Sequence, residues 1–271
     1  MLDFATKQDI SQLKAIWKIV FKDTDFFVDL YFSHYFVPHN TLVFRVQGKI
    51  VAMLFMNPYD FRFCGDSMQC YYLSGLATLP MHRRQGIMCR MLTFSYRVMR
   101  ARNIPLAILI PASKKMYPYY QKFNYEQVFE KHDEIIPLGN IVDGNPTLVS
   151  AYAEFNSIYR EKDFCIQKEY ADFQAIVSDW EYDRRPPKTD IAGMAQLIAP
   201  HFLFNLFKQR TGNVLSLNFS KNNDALFSDD VLTVNNRTLC RLLFGFRTSE
   251  FSPDIAAIFP ERQPVLNLML E

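Results

Sequence analysis

Three observations predict an α/β (α+β) chain built on a mixed central sheet with helices on its faces. Over the first half of the 271 residues, apolar positions recur at helical or strand spacing in the order helix, helix, three strands, helix, strand, helix, strand. The strands before and after the third helix must run parallel, because a strand–helix–strand crossover returns the chain to the same sheet. Hydrophobic residues make up 49% of the chain and aromatics 15%, enough to cover both faces of such a sheet.

Ile10, Leu13, Ile16, Trp17, Val20 and Phe21 fall on one helical face, opened by Asp9 as N-cap. Asp25 to Phe36 gives a second, aromatic-rich helix. Thr41 to Val46 and Ile50 to Met56 flank Gln47-Gly48-Lys49 as the strands of a hairpin. A strand from Tyr71 to Thr78 is closed by Pro80, which cannot donate to a ladder, and a helix follows Gly86 with Ile87, Met91, Leu92, Phe94 and Val98 in its period. Leu106 to Ile110 reads as a short buried strand ended by Pro111. Ser113 then caps a short helix running toward Phe123, and Tyr125 to Phe129 supplies the last strand of this half.

Pro137, Gly139, Gly144, Asn145 and Pro146 punctuate the next stretch, so the chain divides into a first domain over 1-135, a helical linker or reduced middle domain over 136-185 and a smaller C-terminal domain over 186-271. Leu148 to Glu161 and Glu169 to Trp180 have helical patterns, and Arg184-Arg185-Pro186-Pro187 breaks the chain again. Ala195 to Lys208 reads as an amphipathic helix. Val214 to Phe219 and Val231 to Val234 read as strands around a polar loop through Asn222, Asn223 and Asp224, ahead of a helix from Arg237 to Phe244.

Composition removes several function classes. No apolar run approaches the roughly 18 residues of a membrane span, and the opening Met1 to Asp9 lacks the basic and apolar regions of a secretion signal, so a cytoplasmic protein without membrane contact is expected. Cys64, Cys70, Cys89, Cys165 and Cys240 are odd in number and contain no Cys-x-x-Cys, which argues against disulfides and against a metal site. A formal net charge of +2 is too small for a nucleic-acid binder. Homo-oligomerisation is left open.

The positive charge is local. Between Met68 and Tyr125 there is no Asp or Glu, while Arg83, Arg84, Arg90, Arg97, Arg100, Arg102, Lys114, Lys115 and Lys122 surround one glycine, Gly86. Gly86 stands at the turn into a helix, where a missing Cβ lets backbone N–H groups approach a ligand and the helix N-terminus offers unpaired donors. A phosphate or pyrophosphate fits such a turn, with arginines adding charge-assisted contacts.

The stretch Leu76 to Met88 resembles the acetyl-coenzyme A motif of the GNAT superfamily of acyltransferases, Gln/Arg-x-x-Gly-x-Gly/Ala after a strand, filled by Arg83-x-x-Gly86-x-Met88. Met88 stands where the pattern wants a small residue. Tyr120-x-x-Phe123-Asn124-Tyr125 is similar to the family's closing Tyr-x-x-Phe-Gly-Tyr, with Asn124 in place of a glycine; both residues tolerate a left-handed backbone. Gly193 to Ile198, Leu232 to Val234 with Leu239 to Gly245, and Ile258-Phe259-Pro260 resemble the sterol-carrier-like domain that ends the enhanced intracellular survival (Eis) acetyltransferases.

The resemblance implies acetyl-CoA as cosubstrate, no metal, and transfer to the amine of a small molecule or of a lysine-bearing substrate. In it, backbone groups of Leu76, Ala77 and Thr78 polarise the thioester. Arg83, Arg84, Gln85, Gly86, Ile87, Met88 and Cys89 cradle the pyrophosphate, and Ser113 and Lys114 meet the pantetheine arm or the 3′-phosphate. An amine cannot attack while protonated, so a proton acceptor is needed, and a donor is needed for the leaving thiolate. The family often places a Glu on the central strand, but Gln69 to Leu76 offers no carboxylate. The Eis-type resemblance instead implies the α-carboxylate of Glu271 as base, carried by the apolar segment Leu266 to Leu270, and Tyr120 as acid, with Tyr117, Tyr119 and Tyr125 as rivals. The competing reading is a non-catalytic acetyl-CoA sensor, or a lipid- or partner-binding protein.

Overall fold

The structure is a computed structural model that describes residues 1–130, 138–183, 192–222, 224–266 and 270. Its first half runs β1 (Leu2–Phe4), α1 (Ile10–Phe21), α2 (Asp25–Tyr35), β2 (Thr41–Val46), β3 (Lys49–Phe63), β4 (Asp66–Thr78), α3 (Ile87–Ala101), β5 (Leu106–Leu109), α4 (Tyr117–Gln121) and β6 (Glu126–Gln127). The second half adds α5 (Leu138–Asp143), α6 (Leu148–Tyr159), β7 (Cys165–Ile166), α7 (Tyr170–Asp183), β8 (Met194–Leu197), α8 (Pro200–Thr211), β9 (Ser216–Phe219), β10 (Leu226–Ser228), β11 (Val231–Val234), α9 (Asn236–Phe244) and α10 (Pro253–Ile258).

The strand order in the main sheet is β1-β2-β3-β4-β5-β8-β6, with β7 pairing the far end of β3. The β4–β5 pair is parallel, as the crossover through α3 requires, and its neighbours are antiparallel. β3 and β4 run further than their alternation suggests, because Cys64 and Gly65, both at positive φ (51° and 83°), close a tight hairpin that lets the ladder continue to Phe63↔Asp66. Asp9 precedes α1 but does not cap it with its side chain. The carboxylate accepts from the Thr6 N–H at 2.7 Å and pairs with Arg45 at 2.6 Å, fixing the chain entry instead.

Three differences from the sequence reading lie in the second half. The expected helix from Ala195 is a strand over Met194–Leu197 followed by α8, which starts at Pro200; proline suits a first helical turn and would break a helix interior. β10 occupies part of the expected polar loop, turned by Asp229 and Asp230 at φ 50° and 59°, and joins β11 and β9 in a second, three-stranded sheet. The main sheet also crosses both expected boundaries, since β8, from the 186-271 segment, lies between β5 and β6. The Arg184–Pro187 break lies outside the described residues.

Both faces of the main sheet are covered. α3 packs on one through Ile87, Met91, Leu92, Tyr96 and Met99. On the other, α1 and α2 contribute Leu13, Trp17, Val28 and Tyr31, and beside them Leu203, Phe204, Leu239, Leu243 and Phe244 of α8 and α9 pack on Tyr59, Phe61, Tyr72 and Ile108. The helices of the middle segment build a further cluster around Phe155 and Phe173. Among the described residues, no helix is long and apolar enough to cross a membrane. Because the main sheet needs β8, residues 1–135 expressed alone are expected to give insoluble or non-cooperatively melting protein in circular dichroism, whereas a sharp, reversible melt of that fragment would contradict the dependence.

Candidate active site

The site begins where two parallel strands part. β4 and β5 pair at Cys70↔Leu106, Tyr71↔Ala107 and Tyr72↔Ile108 and no further, while β4 continues along β3 to Ala52↔Thr78. The edge of β4 from Leu73 to Thr78 therefore faces a gap, with backbone groups that β5 does not pair. A bulge explains the divergence: the register passes from Phe55↔Ser74 to Met53↔Ala77, so Gly75 and Leu76 both stand against Leu54. Gly75 has φ +56°, and a Cβ there would lie 2.7 Å from the Phe55 ring and 2.8 Å from Trp17. Only glycine fits both the backbone and the space.

Beyond Thr78 the chain makes the turn expected to hold phosphate. Arg84 (φ 61°) and Gly86 (φ 72°) adopt left-handed conformations that turn the backbone into α3, whose first N–H groups have no side-chain cap. Gly86 has open space around it, so its requirement is conformational. Arg83, Arg84, Gln85, Gly86 and Cys89 are exposed and Ile87 is buried. Arg83 folds back to donate from Nε to the Thr78 carbonyl at 3.0 Å, and the Arg90 guanidinium stacks on Phe44 at 4.7 Å. Met88 is drawn into the apolar cluster under α3. Ser113 and Lys114 open the turn into α4 at the end of β5, with Lys114 exposed and no capping bond from Ser113.

The tyrosines of this region are separated by their partners. The Tyr117 hydroxyl is occupied, accepting from the Ala192 N–H at 2.8 Å and donating to its carbonyl at 2.9 Å. Tyr125 is fully buried. Tyr119 is half-buried against Tyr120 and Phe123 and lies near enough to Cys89 to be affected by it. Tyr120 is 7% exposed, and its hydroxyl makes no hydrogen bond to any described residue. Burial, then the neighbouring Tyr119 phenol, push its ionisation up, so it is a protonated donor at any ordinary pH.

On the opposite face, the first β4 residue past the last β5 pair that points away from α3 is Ser74. Its hydroxyl bonds to the Tyr31 hydroxyl of α2, and Asn57 Nδ2 donates to both, at 3.0 Å and 3.1 Å. Tyr35 and Tyr59 bond to each other beside them, and the buried Lys168 ammonium sits 4.4 Å from the centre of the Tyr59 ring. Burial pushes Lys168 down to about 8, against the pull of Asp172, which itself pairs with His34 at 2.9 Å. None of these side chains was singled out in the sequence, where Tyr31, Asn57 and Ser74 share no motif and the first and last are 43 positions apart. Glu271 lies outside the described residues. Leu270 is buried, in the cluster that holds Trp17, Tyr31, Phe55 and Ala77. Among the described residues no group of acids, histidines or cysteines could hold a metal ion.

Residues 2–128 match the family model described as an acetyltransferase (GNAT) domain. The fold is the GNAT fold, and the chain is by class an acyltransferase. Solved structures share the fold over the full length. A probable N-acyltransferase from Enterococcus faecalis V583 is 11% identical with a TM-score of 0.66, covering 97% of this chain and 96% of its own. A GCN5-related N-acetyltransferase from Anabaena variabilis is 13% identical with a TM-score of 0.57 over 98% and 94%. One from Kribbella flavida is 11% identical with a TM-score of 0.55 over 97% and 98%. No curated protein matches the sequence.

The bulge glycine gives the site's own test. Gly75→Ala is expected to cost about 1–3 kcal/mol through overpacking against Phe55 and Trp17, read as a lowered denaturation midpoint, and a neutral substitution would show that the bulge does not depend on that close approach.

Proposed function

We propose that the chain is an acetyl-CoA-dependent N-acetyltransferase that transfers the acetyl group directly to the amine of a small molecule or of a lysine side chain. The observation that carries this reading is the gap between β4 and β5 beyond Tyr72↔Ile108, flanked on one side by the left-handed turn at Arg84 and Gly86 and on the other by Tyr120 with its unengaged hydroxyl. Acetyl-CoA enters as an additional strand-like ligand along Leu76, Ala77 and Thr78. Its pyrophosphate meets the N–H groups from Arg83 to Cys89, and Ser113 and Lys114 stand beside its arm or 3′-phosphate.

The amine attacks the thioester carbon in its neutral form, forming the C–N bond. The carbonyl oxygen takes the charge and is met by unpaired β4 backbone donors. The proton lost from nitrogen passes to the α-carboxylate of Glu271. Burial of Leu270 in the cluster that holds Tyr31 and Ala77 supports this role. The C–S bond then breaks, and Tyr120 gives its proton to the thiolate. The Eis-type likeness belongs to the same reading, supported by the three-stranded sheet and the helices α8, α9 and α10 of the last segment.

Acetyl-CoA at about a hundredfold excess over its Kd should stabilise the protein by about 2.7 kcal/mol and release free thiol when an accepted amine is added. No shift in melting at saturation would sink the reading. Tyr120→Phe should lower kcat by about tenfold or more with acetyl-CoA affinity nearly intact; a loss confined to affinity would move the acid to Tyr119. Appending a few residues after Glu271 should abolish turnover without changing the melt, and unaltered activity in the extended protein rules the carboxylate out.

A further inference from the structure

The arginines of α3 continue well past the turn at Gly86. Arg90, Thr93, Arg97 and Arg100 are exposed and recur three or four residues apart, so they lie along one face of the helix, while Met91, Tyr96 and Met99 are buried on another. With a rise of about 1.5 Å per residue, Arg97 stands about 16 Å and Arg100 about 21 Å along the axis from Gly86. Coenzyme A carries about four negative charges, on its pyrophosphate and its 3′-phosphate, and the cations nearest the turn are enough to meet them. The far arginines are left over. Among the described residues, the guanidinium groups of Arg97 and Arg100 have no hydrogen bond or ion pair, and the sequence supplies no Asp or Glu from Met68 to Tyr125.

The stripe ends at a recess. A cavity of about 430 Å³ opens beside Arg100, with Ile104, Pro105, Ile198 and Phe202 among the residues that line it. Ile104 and Ile198 are 4% exposed, whereas Phe202, on α8, is 53% exposed. The N–H groups of Ile198 and Ala199 both donate to the Pro105 carbonyl, at 2.8 Å and 3.1 Å, so the two halves of the chain are joined through the backbone where the recess forms. An apolar hollow beside a free guanidinium suits an apolar side chain flanked by carboxylates, the arrangement of an anchored interface with a charged rim.

We propose that the Arg90, Arg97 and Arg100 face of α3 and the recess at its end dock an acidic helix of a carrier protein that presents the acyl group on a phosphopantetheine arm. This rests on the acetyl-CoA reading above and names a second form of its donor. Such an arm is joined to its protein through a phosphate. Holding that phosphate at the Gly86 turn brings the carrier's surface against the adjoining face of the molecule, which is the arginine stripe. Carboxylates spaced three or four residues apart meet the arginines, and an apolar side chain fills the recess. The transfer itself is unchanged: the C–N bond of the amide forms, the C–S bond to the arm breaks, and the thiol leaves on the carrier. A nucleic acid suits this face less well, because the chain's net charge is only +2 and the buried walls of the recess are aliphatic.

Titration calorimetry with a purified acyl carrier protein bearing an acetylated phosphopantetheine arm tests the docking. The full chain should bind the loaded carrier saturably and about tenfold or more tightly than acetylated pantetheine 4′-phosphate, which is the same arm without the protein. Arg97→Glu combined with Arg100→Glu should weaken the carrier by about tenfold or more and leave acetyl-CoA affinity within about twofold of the parent, and Phe202→Asp should do the same. The milder pair Arg97→Gln and Arg100→Gln should shift the carrier in the same direction, and it decides the matter if the charge reversal unfolds the protein. A carrier bound no more tightly than its isolated arm, parental carrier affinity in these variants, or an equal loss for carrier and acetyl-CoA overturns the docking face. An RNA oligonucleotide that the same substitutions release, with the carrier unaffected, assigns the face to nucleic acid and overturns it as well. Failure of acetyl-CoA to bind the parent removes the acetyl-CoA reading; binding of acetyl-CoA without binding of the carrier removes the docking alone.

Discussion

The early end of the β4–β5 ladder is the constraint on which the rest of the site depends. A parallel pair that continued past Tyr72↔Ile108 would satisfy its own backbone and leave nothing for a ligand. The bulge opposite Leu54 turns β4 aside, and it persists because the Phe55 and Trp17 rings fill the space where a side chain at position 75 would stand. Those rings belong to the cluster under α1 and α2, so the helices that cover one face of the sheet also fix the course of the strand whose edge lines the gap. The unpaired edge is thus stabilised by packing elsewhere, which keeps it in place without a guest.

Charge is divided across that gap. The side that carries the Arg84–Gly86 turn holds no carboxylate from Met68 to Tyr125, and its backbone donors add to the cations there. The opposite side is held by neutral hydroxyls and an amide, Tyr31, Ser74 and Asn57, with the lysine of the middle segment buried behind them.

Much of the first half could be read directly from residues. Its helices and strands have clean periods, and Arg83, Gly86 and Tyr120 sit in local patterns whose mechanism is short-range. What could not be read is long-range. Met194 to Leu197 is a four-residue apolar run, too short for its period to separate strand from helix, and only its partners on β5 and β6 decide the matter. The bulge at Gly75 leaves no trace beyond the glycine itself. Ser74, Asn57 and Tyr31 become a unit only through the register of β3 against β4 and the packing of α2 on both, and Asp9 looks like a cap until Arg45 is brought to it.

The position of β8 changes what the two halves of the chain are. Tyr117 is tied through its hydroxyl to both backbone groups of Ala192, and Gln196 faces Tyr125, so the short helix that carries Tyr120 is held from both ends by residues of the second half. Arg237 of α9 fastens β6 from the other face through Glu126. A structure in which Tyr120 belongs to one half by sequence and to both by packing cannot vary its C-terminal segment freely. Changes there reach Tyr120 through β8, which pairs with β6 next to Tyr125, and the fold is accordingly shared over the whole length with solved structures at 11–13% identity.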